Sequence, residues 1–503
     1  MFRVLSWKAR RLLSIAIVLS VAGCATAPED RGASAVSRFS SERGGPAVGV
    51  PTQDEDARAK LIGPLLERHL SADDAVTIAL VRSPQLRIEY ARLGLASADV
   101  VQAGRMSNPT LSASIMFPDR AGESNQVGFG LATRFLDLLL IPARSRIAEQ
   151  EFTRAQMLAG NAVLDLARDV ESAYYALVGA QHIATMRQTV AKAANAAATL
   201  AQRYHDAGNL PDLQLSLEKS AAAQASLAAL SARAEVADAR ARLATLMGMP
   251  ASETGWDVET RLPLPSAVEV PEADLQQQAT DRRLELQARR LEVATLRDGL
   301  GLTQSTRWFG GLEVGVHTER ETDRSRITGP SLSWELPLFN QNQDGVLRAQ
   351  SALERAEAEL LQSEIATGND VARSYARLQN DREAITLYQQ QLLPMHERIV
   401  QHTQEKLDFM LVGVFELIRA RQDQYDAWQA YLEAVRDYWL HRVDLQRAMG
   451  VALAAQPAGE TVAPQVPQAP ASDEDPHRHH HGMGHSMAAP ASDDPAPAGV
   501  HHH

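Results

Sequence analysis

Cysteine is almost absent. Cys24 stands alone in 503 residues, so no intrachain disulfide can form. Aromatic residues contribute only 5%, too little for a large aromatic core. Much of the 45% apolar share is alanine, which suits close helix packing. Positive charge is in deficit: the net charge of -12 argues against nucleic acid as the main partner. Beyond the first twenty-odd residues, no apolar run reaches the roughly 18 residues of a membrane-spanning helix. There is no Gly-rich phosphate loop, no GxSxG, no HExxH and no CxxC. These absences exclude the commonest catalytic frameworks, and the chain is expected not to be an enzyme. From Ala143 to about His205 there is also no proline, and Gly160 and Gly179 are the only glycines.

That proline-free run is rich in Ala, Leu, Gln, Arg and Glu, all good helix formers. At about 1.5 Å per residue it predicts a helix of about 95 Å. A turn signal follows at Ala207-Gly208-Asn209-Leu210-Pro211-Asp212, then a helix that Gly248 and Pro250 end. The globular mean is only about 11–12 residues. A single soluble core has no need of such lengths, whereas a structure that bridges a distance does.

The N-terminus reads as an address. Arg3, Lys8, Arg10 and Arg11 precede a short apolar stretch, Leu12 to Val21, the layout of a secretory signal. The stretch ends in Val21-Ala22-Gly23-Cys24, which resembles a bacterial lipobox. Cleavage before Cys24 and lipidation of it are therefore expected, with residues 1–23 as signal peptide. Ala25 in place of an aspartate favours the outer membrane. Residues 24–69 are mostly Gly-, Pro-, Ser- and acid-rich and read as an extended, acylated linker.

The rest of the chain repeats itself. Ser71 and Asp74 approximate a capping box for a first helix; Ser83-Pro84 interrupts it, and the helical pattern resumes to Gly104. Two alternating segments follow. In Thr110 to Phe117, Leu111, Ala113, Ile115 and Phe117 share a face; in the next, Val127, Phe129, Leu131, Thr133 and Phe135 do. Period-two alternation of this length fits a membrane β-strand, lipid on one side and water on the other, and equally a half-buried soluble strand. After the long hairpin and a Pro-rich connection, the order recurs. A helix runs from Glu272 to about Thr303; strands cover about 307–317 and 331–338; a long helix spans about Asp344 to Phe409, with Pro394 expected to kink it; a turn at Val412-Gly413 leads into a last helix ending at Met449-Gly450. The first repeat covers 70–262 and the second 263–452. The returning helix 210–248 and the helix 272–303 together match the long helix in length and could stack end to end beside it. Four strands cannot close a membrane barrel, since a small one needs about eight, and open edges in lipid would strand backbone polar groups. A trimer would supply twelve.

An ordered set of motifs resembles the outer membrane efflux family, the TolC-like channels. It comprises Leu70-Ser71, Asp74-Ala75, Ala79-Leu80 and Ser83-Pro84; Asn108-Pro109-Thr110-Leu111 at the first strand; Tyr204, Gly208-Asn209-Leu210 and Leu213 at the first hairpin tip; and Gly329-Pro330 with Leu336-Pro337-Leu338-Phe339-Asn340 after the second strand pair. The resemblance implies a mainly α chain with a small β part, forming a homotrimer: a twelve-stranded outer-membrane β-barrel, continued by a long periplasmic α-helical barrel. It implies as partners a periplasmic adaptor (membrane fusion) protein and an inner-membrane pump of resistance-nodulation-division type, with no cofactor required. Gly208, Asn209 and Leu210 at one tip, and Met410, Leu411, Gly413 and Val414 at the other, are the expected docking residues. Asp408 and Glu416 are the gate candidates. The second tip departs from the family pattern, with Met410 where a glycine is usual, and its apolar character resembles heavy-metal and copper efflux members.

The tail, 453–503, is Pro-, Ala- and acid-rich and is expected to be disordered. It carries His477, His479, His480, His481, Met483, His485 and Met487. Imidazole suits Cu and Zn, and thioether selects Cu(I) or Ag(I), so copper or silver binding is a candidate role. His182, His205, His396, His402 and His441 read as ordinary surface or interhelical residues. The leading expectation is the export duct of a tripartite efflux pump for heavy-metal ions such as copper or silver. The alternatives are the duct of a type I protein secretion or multidrug system, and a coiled-coil lipoprotein without a pore.

Overall fold

A computed structural model of the chain describes residues 30–46, 55–119, 123–265, 272–308 and 311–453. The expected signal peptide, Cys24 and the His/Met tail lie outside the described residues. In chain order the elements are α1 (Ala33–Ser41), α2 (Glu55–Leu66), α3 (Ala72–Arg82), α4 (Pro84–Ala103), β1 (Thr110–Met116), β2 (Gln126–Arg134), α5 (Phe135–Asp206) and α6 (Asp212–Leu246). The second repeat holds α7 (Glu272–Arg282), α8 (Leu284–Thr306), β3 (Leu312–Arg320), β4 (Arg326–Trp334), α9 (Gln343–Leu387), a π-helical turn Tyr388–Leu392, α10 (Leu393–Asp408) and α11 (Val414–Met449).

The two repeats break at equivalent places. Ser71 and Asp74 cap α3 reciprocally, the Asp74 amide to Ser71 Oγ at 3.2 Å and the Ser71 amide to Asp74 Oδ2 at 3.1 Å. Ser83 separates α3 from α4, and Arg283 separates α7 from α8. Gly248, with φ +67, closes α6 against the first break: a Cβ there would lie 2.9 Å from the Arg82 carbonyl oxygen. Gly450, with φ +68, closes α11 against the second, 3.0 Å from Arg283 Cα. Only glycine combines that backbone with that approach. Each returning helix thus stacks on the helix pair that opens its own repeat. This corrects the expected stacking of 210–248 on 272–303; Arg82 and Glu253, joined by two hydrogen bonds of 2.8 Å, pin the arrangement.

α5 has 72 residues, about 108 Å at the standard rise. It starts earlier than the composition suggests and runs through Pro142, where Arg144 donates back to the Asp137 carbonyl at 3.0 Å. Its seam with α6 is alanine: Ala194, Ala197 and Ala201 are buried on one side, and Leu215, Ala222 and Ala229 on the other. The seven-residue spacing of the α6 set is that of a coiled-coil seam, and small side chains let the axes approach. In the second long helix the discontinuity sits at Tyr388–Leu392, just ahead of Pro394. Proline removes the amide that would satisfy the carbonyl four residues back, and a π turn is a common way to accommodate such a defect.

The four strands form one antiparallel sheet in the order β1-β2-β3-β4. Its central pairing, β2 with β3, joins the two repeats (Leu131↔Val316, Phe129↔Thr318). The second strand pair lies nearer its turn than expected. The ladder extends through Thr318↔Thr328 to Arg320↔Arg326 and ends at Leu312↔Trp334. The charged run Glu319–Arg326 reads as loop in sequence, but cross-strand pairing carries its ends, Glu319, Arg320 and Arg326, into the sheet and leaves only 321–325 as the turn.

Within the expected linker, the described residues 30–46 and 55–69 are not simply extended: they hold α1 and α2. α1 buries Val36 and Ala33, and Gly45 lies so close to Leu164 of α5 that a Cβ would clash at 2.4 Å. Arg43 is buried and donates to the Arg282 carbonyl at 2.7 Å, the Phe39 carbonyl at 3.0 Å and Gln287 Oε1 at 3.1 Å. The Ala452 amide donates to the Arg43 carbonyl at 2.8 Å. The segment is a strap tying the start of the second repeat to the end of the last helix. Its apolar positions are too few for composition to announce it.

Candidate functional site

Register sorts the sheet into two faces. One carries Leu111, Ala113, Ile115, Val127, Phe129, Leu131, Val314, Val316, Pro330 and Leu332. The other carries Ser112, Ser114, Gly128, Gly130, Glu313, Gly315, His317, Glu319, Ser331 and Ser333. The apolar face is bare in the single chain: Leu111 is 73% exposed and Leu332 70%. An exposed apolar face of this extent needs a nonaqueous neighbour. Residues that sequence alone left undecided between lipid and protein burial are thus not covered by the chain itself. Among the described residues, no helix is long and apolar enough to cross a membrane.

The polar face is lined with small residues, and its charged groups cluster. His317 Nε2 lies 3.8 Å from Glu319 Oε2, and Gln126 Nε2 donates to Glu319. The imidazole lies across Gly128 and Gly130, where added Cβ atoms would come 3.4 and 3.3 Å from the ring. Glu313, His317 and Glu319 share this face by register. Among the described residues the outer edges of β1 and β4 have no strand partner. Pro330 sits in β4, an edge position where a missing amide is tolerated.

At the far end of the helices the two hairpin tips meet. The rings of Tyr204 and Phe415 lie 6.3 Å apart, edge to face. Both tips use the same helix ending. In the first, Gly208 takes φ +78; its amide donates to the His205 carbonyl, and that of Asn209 to the Tyr204 carbonyl, each at 2.8 Å. In the second, Met410 takes φ +56; its amide donates to the Leu407 carbonyl, and that of Leu411 to the Lys406 carbonyl, each at 2.8 Å. This is the Schellman geometry, which favours glycine at the left-handed position. Met410 therefore stands where Gly208 stands in the first repeat. Met410 is 93% exposed, Phe409 77% and Leu411 72%. Gly413 precedes α11, whose first turn holds Val414 and Glu416, and Glu416 Oε2 folds back to within 2.8 Å of a Cβ position on Gly413. Asp408 is exposed and accepts from Gln404 Nε2 at 2.9 Å. Leu210 lies between Asn209 and the α6 cap Pro211. The structure brings the tip residues to one end but gives Asp408 and Glu416 no mutual contact.

Four of the five helical histidines have structural partners: His205 with Asp212 at 2.7 Å, His441 with Asp381 at 2.6 Å, His402 with Glu405 at 3.1 Å, and His182 with the Thr260 carbonyl; His396 Nδ1 is buried without a hydrogen-bond partner. Among the described residues no group of three or more His, Cys, Asp or Glu could hold a metal ion. Burial pushes the Asp381 carboxyl above its ordinary range, opposed by His441.

A rod of paired long helices, carrying at one end a strand sector apolar outside and polar inside, defines one subunit of a membrane channel of combined strand and helix type. The family model for "Outer membrane efflux protein" matches residues 75–249 and 273–451, and the chain belongs to that family. A curated relative, Protein CyaE of Bordetella pertussis (strain Tohama I), is 28% identical over 398 residues, covering 71% of this chain and 79% of its own. Among solved structures, the outer-membrane channel OprN superposes with a TM-score of 0.63 at 20% identity, covering 76% of this chain and 90% of that one. The Campylobacter jejuni CmeC outer membrane channel gives 0.65 at 15% identity, over 75% and 85%. These similarities establish the fold. The protein is an outer-membrane efflux channel with a large periplasmic helical part.

Proposed function

We propose that the protein is the outer-membrane duct of a tripartite efflux system, working as a homotrimer with a periplasmic adaptor and an inner-membrane pump and exporting heavy-metal ions such as copper or silver. The observation that carries the duct reading is the four-stranded sheet with one bare apolar face and two unpartnered edges. A lone sheet of this kind would strand backbone groups in lipid; pairing β4 of one copy with β1 of the next, three times, satisfies them in a closed barrel of twelve strands. The helices support the same closure. Leu213, Leu217, Leu227 and Leu230 on α6, and Leu361 and Ile365 on α9, leave apolar stripes exposed in the single chain, as faces awaiting a neighbour.

The tips are the docking ends in this reading. Phe409, Met410, Leu411 and Val414, with Gly208, Asn209 and Leu210 beside them, meet the adaptor, and Asp408 and Glu416 face the closing aperture. The metal assignment rests on the His477 to Met487 cluster, whose donor types match soft cations; lipidation of Cys24 adds an anchor. The test is a chromosomal deletion complemented with the full chain or with a chain lacking 470–503. Cells with the deletion are expected to retain copper, measured by elemental mass spectrometry, and to recover with the full chain only. Unchanged copper retention in the deletion would overturn the metal reading, and a monomer in detergent by light scattering would overturn the duct.

A further inference from the structure

The conduit uses the polar face and the tips, but the structure also holds a cavity of about 920 Å³ beneath the sheet, between the end of α4 and the start of α5. Arg31, Arg105 and Arg144 line it against a single carboxylate, Asp137. That carboxylate is already engaged. It accepts from Ser107 Oγ and lies 3.6 Å from Arg144 Nη1. Arg144 Nε is buried without a hydrogen-bond partner. Among the described residues neither Arg31 nor Arg105 has an ion-pair partner, so the cavity carries uncompensated positive charge. Arg31 is held in place: its backbone is left-handed at φ +49, Asp30 accepts from the Gly32 and Ser34 amides at 3.0 Å each, and its Cδ lies 3.9 Å from a Cβ position on Gly94.

The cavity's height gives it meaning. Ser107 lies just before β1, and Asp137 lies in the first turn of α5, directly after β2 ends at Arg134. This is the level at which the sheet hands over to the helices, the periplasmic edge of the bilayer in this family's outer-membrane setting. Ala98, Val101 and Met106 line it as well, and Met106 is exposed. A basic pocket with an apolar collar at that level matches an amphiphile with an anionic head and acyl chains. The volume is within the range of built ligand pockets, roughly 300–1,000 Å³.

We propose that this cavity binds the phosphate headgroup of a membrane lipid, with the arginines on the phosphate and the acyl chains leaving past Val101 and Met106. The proposal rests on the outer-membrane placement, not on cargo identity. The full chain in phosphatidylcholine nanodiscs is titrated with phosphatidylglycerol, and retained lipid is read by native mass spectrometry. The wild type is expected to retain phosphatidylglycerol over phosphatidylcholine. The double variant R31E/R105E is expected to lose at least about tenfold of that retention, since each basic group near an anionic surface contributes on the order of 1 kcal/mol; R31K/R105K should keep most of it. Both substituted residues are exposed, and the oligomer on semi-native gels reports that the variants still insert. Equal retention by inserted R31E/R105E and wild type would overturn the site, as would equal wild-type retention of the two lipids. A further titration compares inorganic phosphate with short-chain dihexanoyl phosphatidylglycerol; equal affinity for the two would mean a free-anion site and would overturn the lipid assignment.

Discussion

Replacing Met410 with glycine separates two roles of the second tip by sign. Met410 holds φ +56, a conformation that costs an L residue about 1–2 kcal/mol. Glycine removes that strain but gives back about 0.5–1 kcal/mol through the unfolded chain. The side chain is 93% exposed, so its loss removes almost no burial within the chain. The hairpin should therefore be unchanged or up to about 1.5 kcal/mol more stable. Docking should move the other way. If Met410 is buried by an adaptor, losing it removes about 2 kcal/mol of apolar transfer, or about 30-fold in affinity. Amide exchange at Met410 and Leu411, whose amides close the helix end on Leu407 and Lys406, reports the first quantity. Biolayer interferometry of the trimer against the purified adaptor reports the second. Faster exchange in M410G would refute the strain argument. Unchanged adaptor affinity would refute the docking role.

Three further outcomes follow from the geometry. Leu131→Asp places a charge on the apolar sheet face and should cost on the order of 2 kcal/mol of barrel stability, whereas Ser112→Asp on the polar face should cost little; heat-modifiable migration on gels compares them. Arg43→Ala removes three charge-assisted hydrogen bonds and should loosen the strap by about 2–3 kcal/mol, seen as faster limited proteolysis near residues 30–46 with the long helices intact. Hydrogen bonds from Arg82 hold the Glu253 carboxyl below its ordinary value. Its ionised form is therefore favoured by folding, so the contribution is fully present above the ordinary value near 4.5 and is lost as pH falls through the lowered one. For this partly exposed pair the amount is about 0.5–1 kcal/mol, so Glu253→Gln should be less stable than wild type by that amount at neutral pH and converge with it at low pH, as thermal melts across the acid range would show.

Much of the architecture is written locally. Proline-free, alanine-rich runs dictate long helices whatever surrounds them, because propensity and seam spacing act within a few turns. The parity of Leu111, Ala113, Ile115 and of Val314, Val316 dictates which side chains share a face, because a strand has no other way to arrange them. The helix breaks at Ser83-Pro84 and the stops at Gly248 and Gly450 are likewise local events, and so is the left-handed cap at both tips. The lengths of β3 and β4 were not local: the ladder through Arg320 and Arg326 exists because a partner strand satisfies a charged segment that would otherwise be loop.

What the tertiary structure alone decided are the contacts between positions far apart in the chain. The β2–β3 pairing that fuses the repeats, the meeting of Tyr204 with Phe415, and the Arg43 strap across Arg282 and Ala452 leave no periodic trace, because each rests on a few atoms brought together by the packing of distant helices. The arginine cavity under the sheet is of the same kind. Arg31, Arg105 and Arg144 look like scattered surface charges in the sequence, and only the handover from strand to helix brings them around one volume.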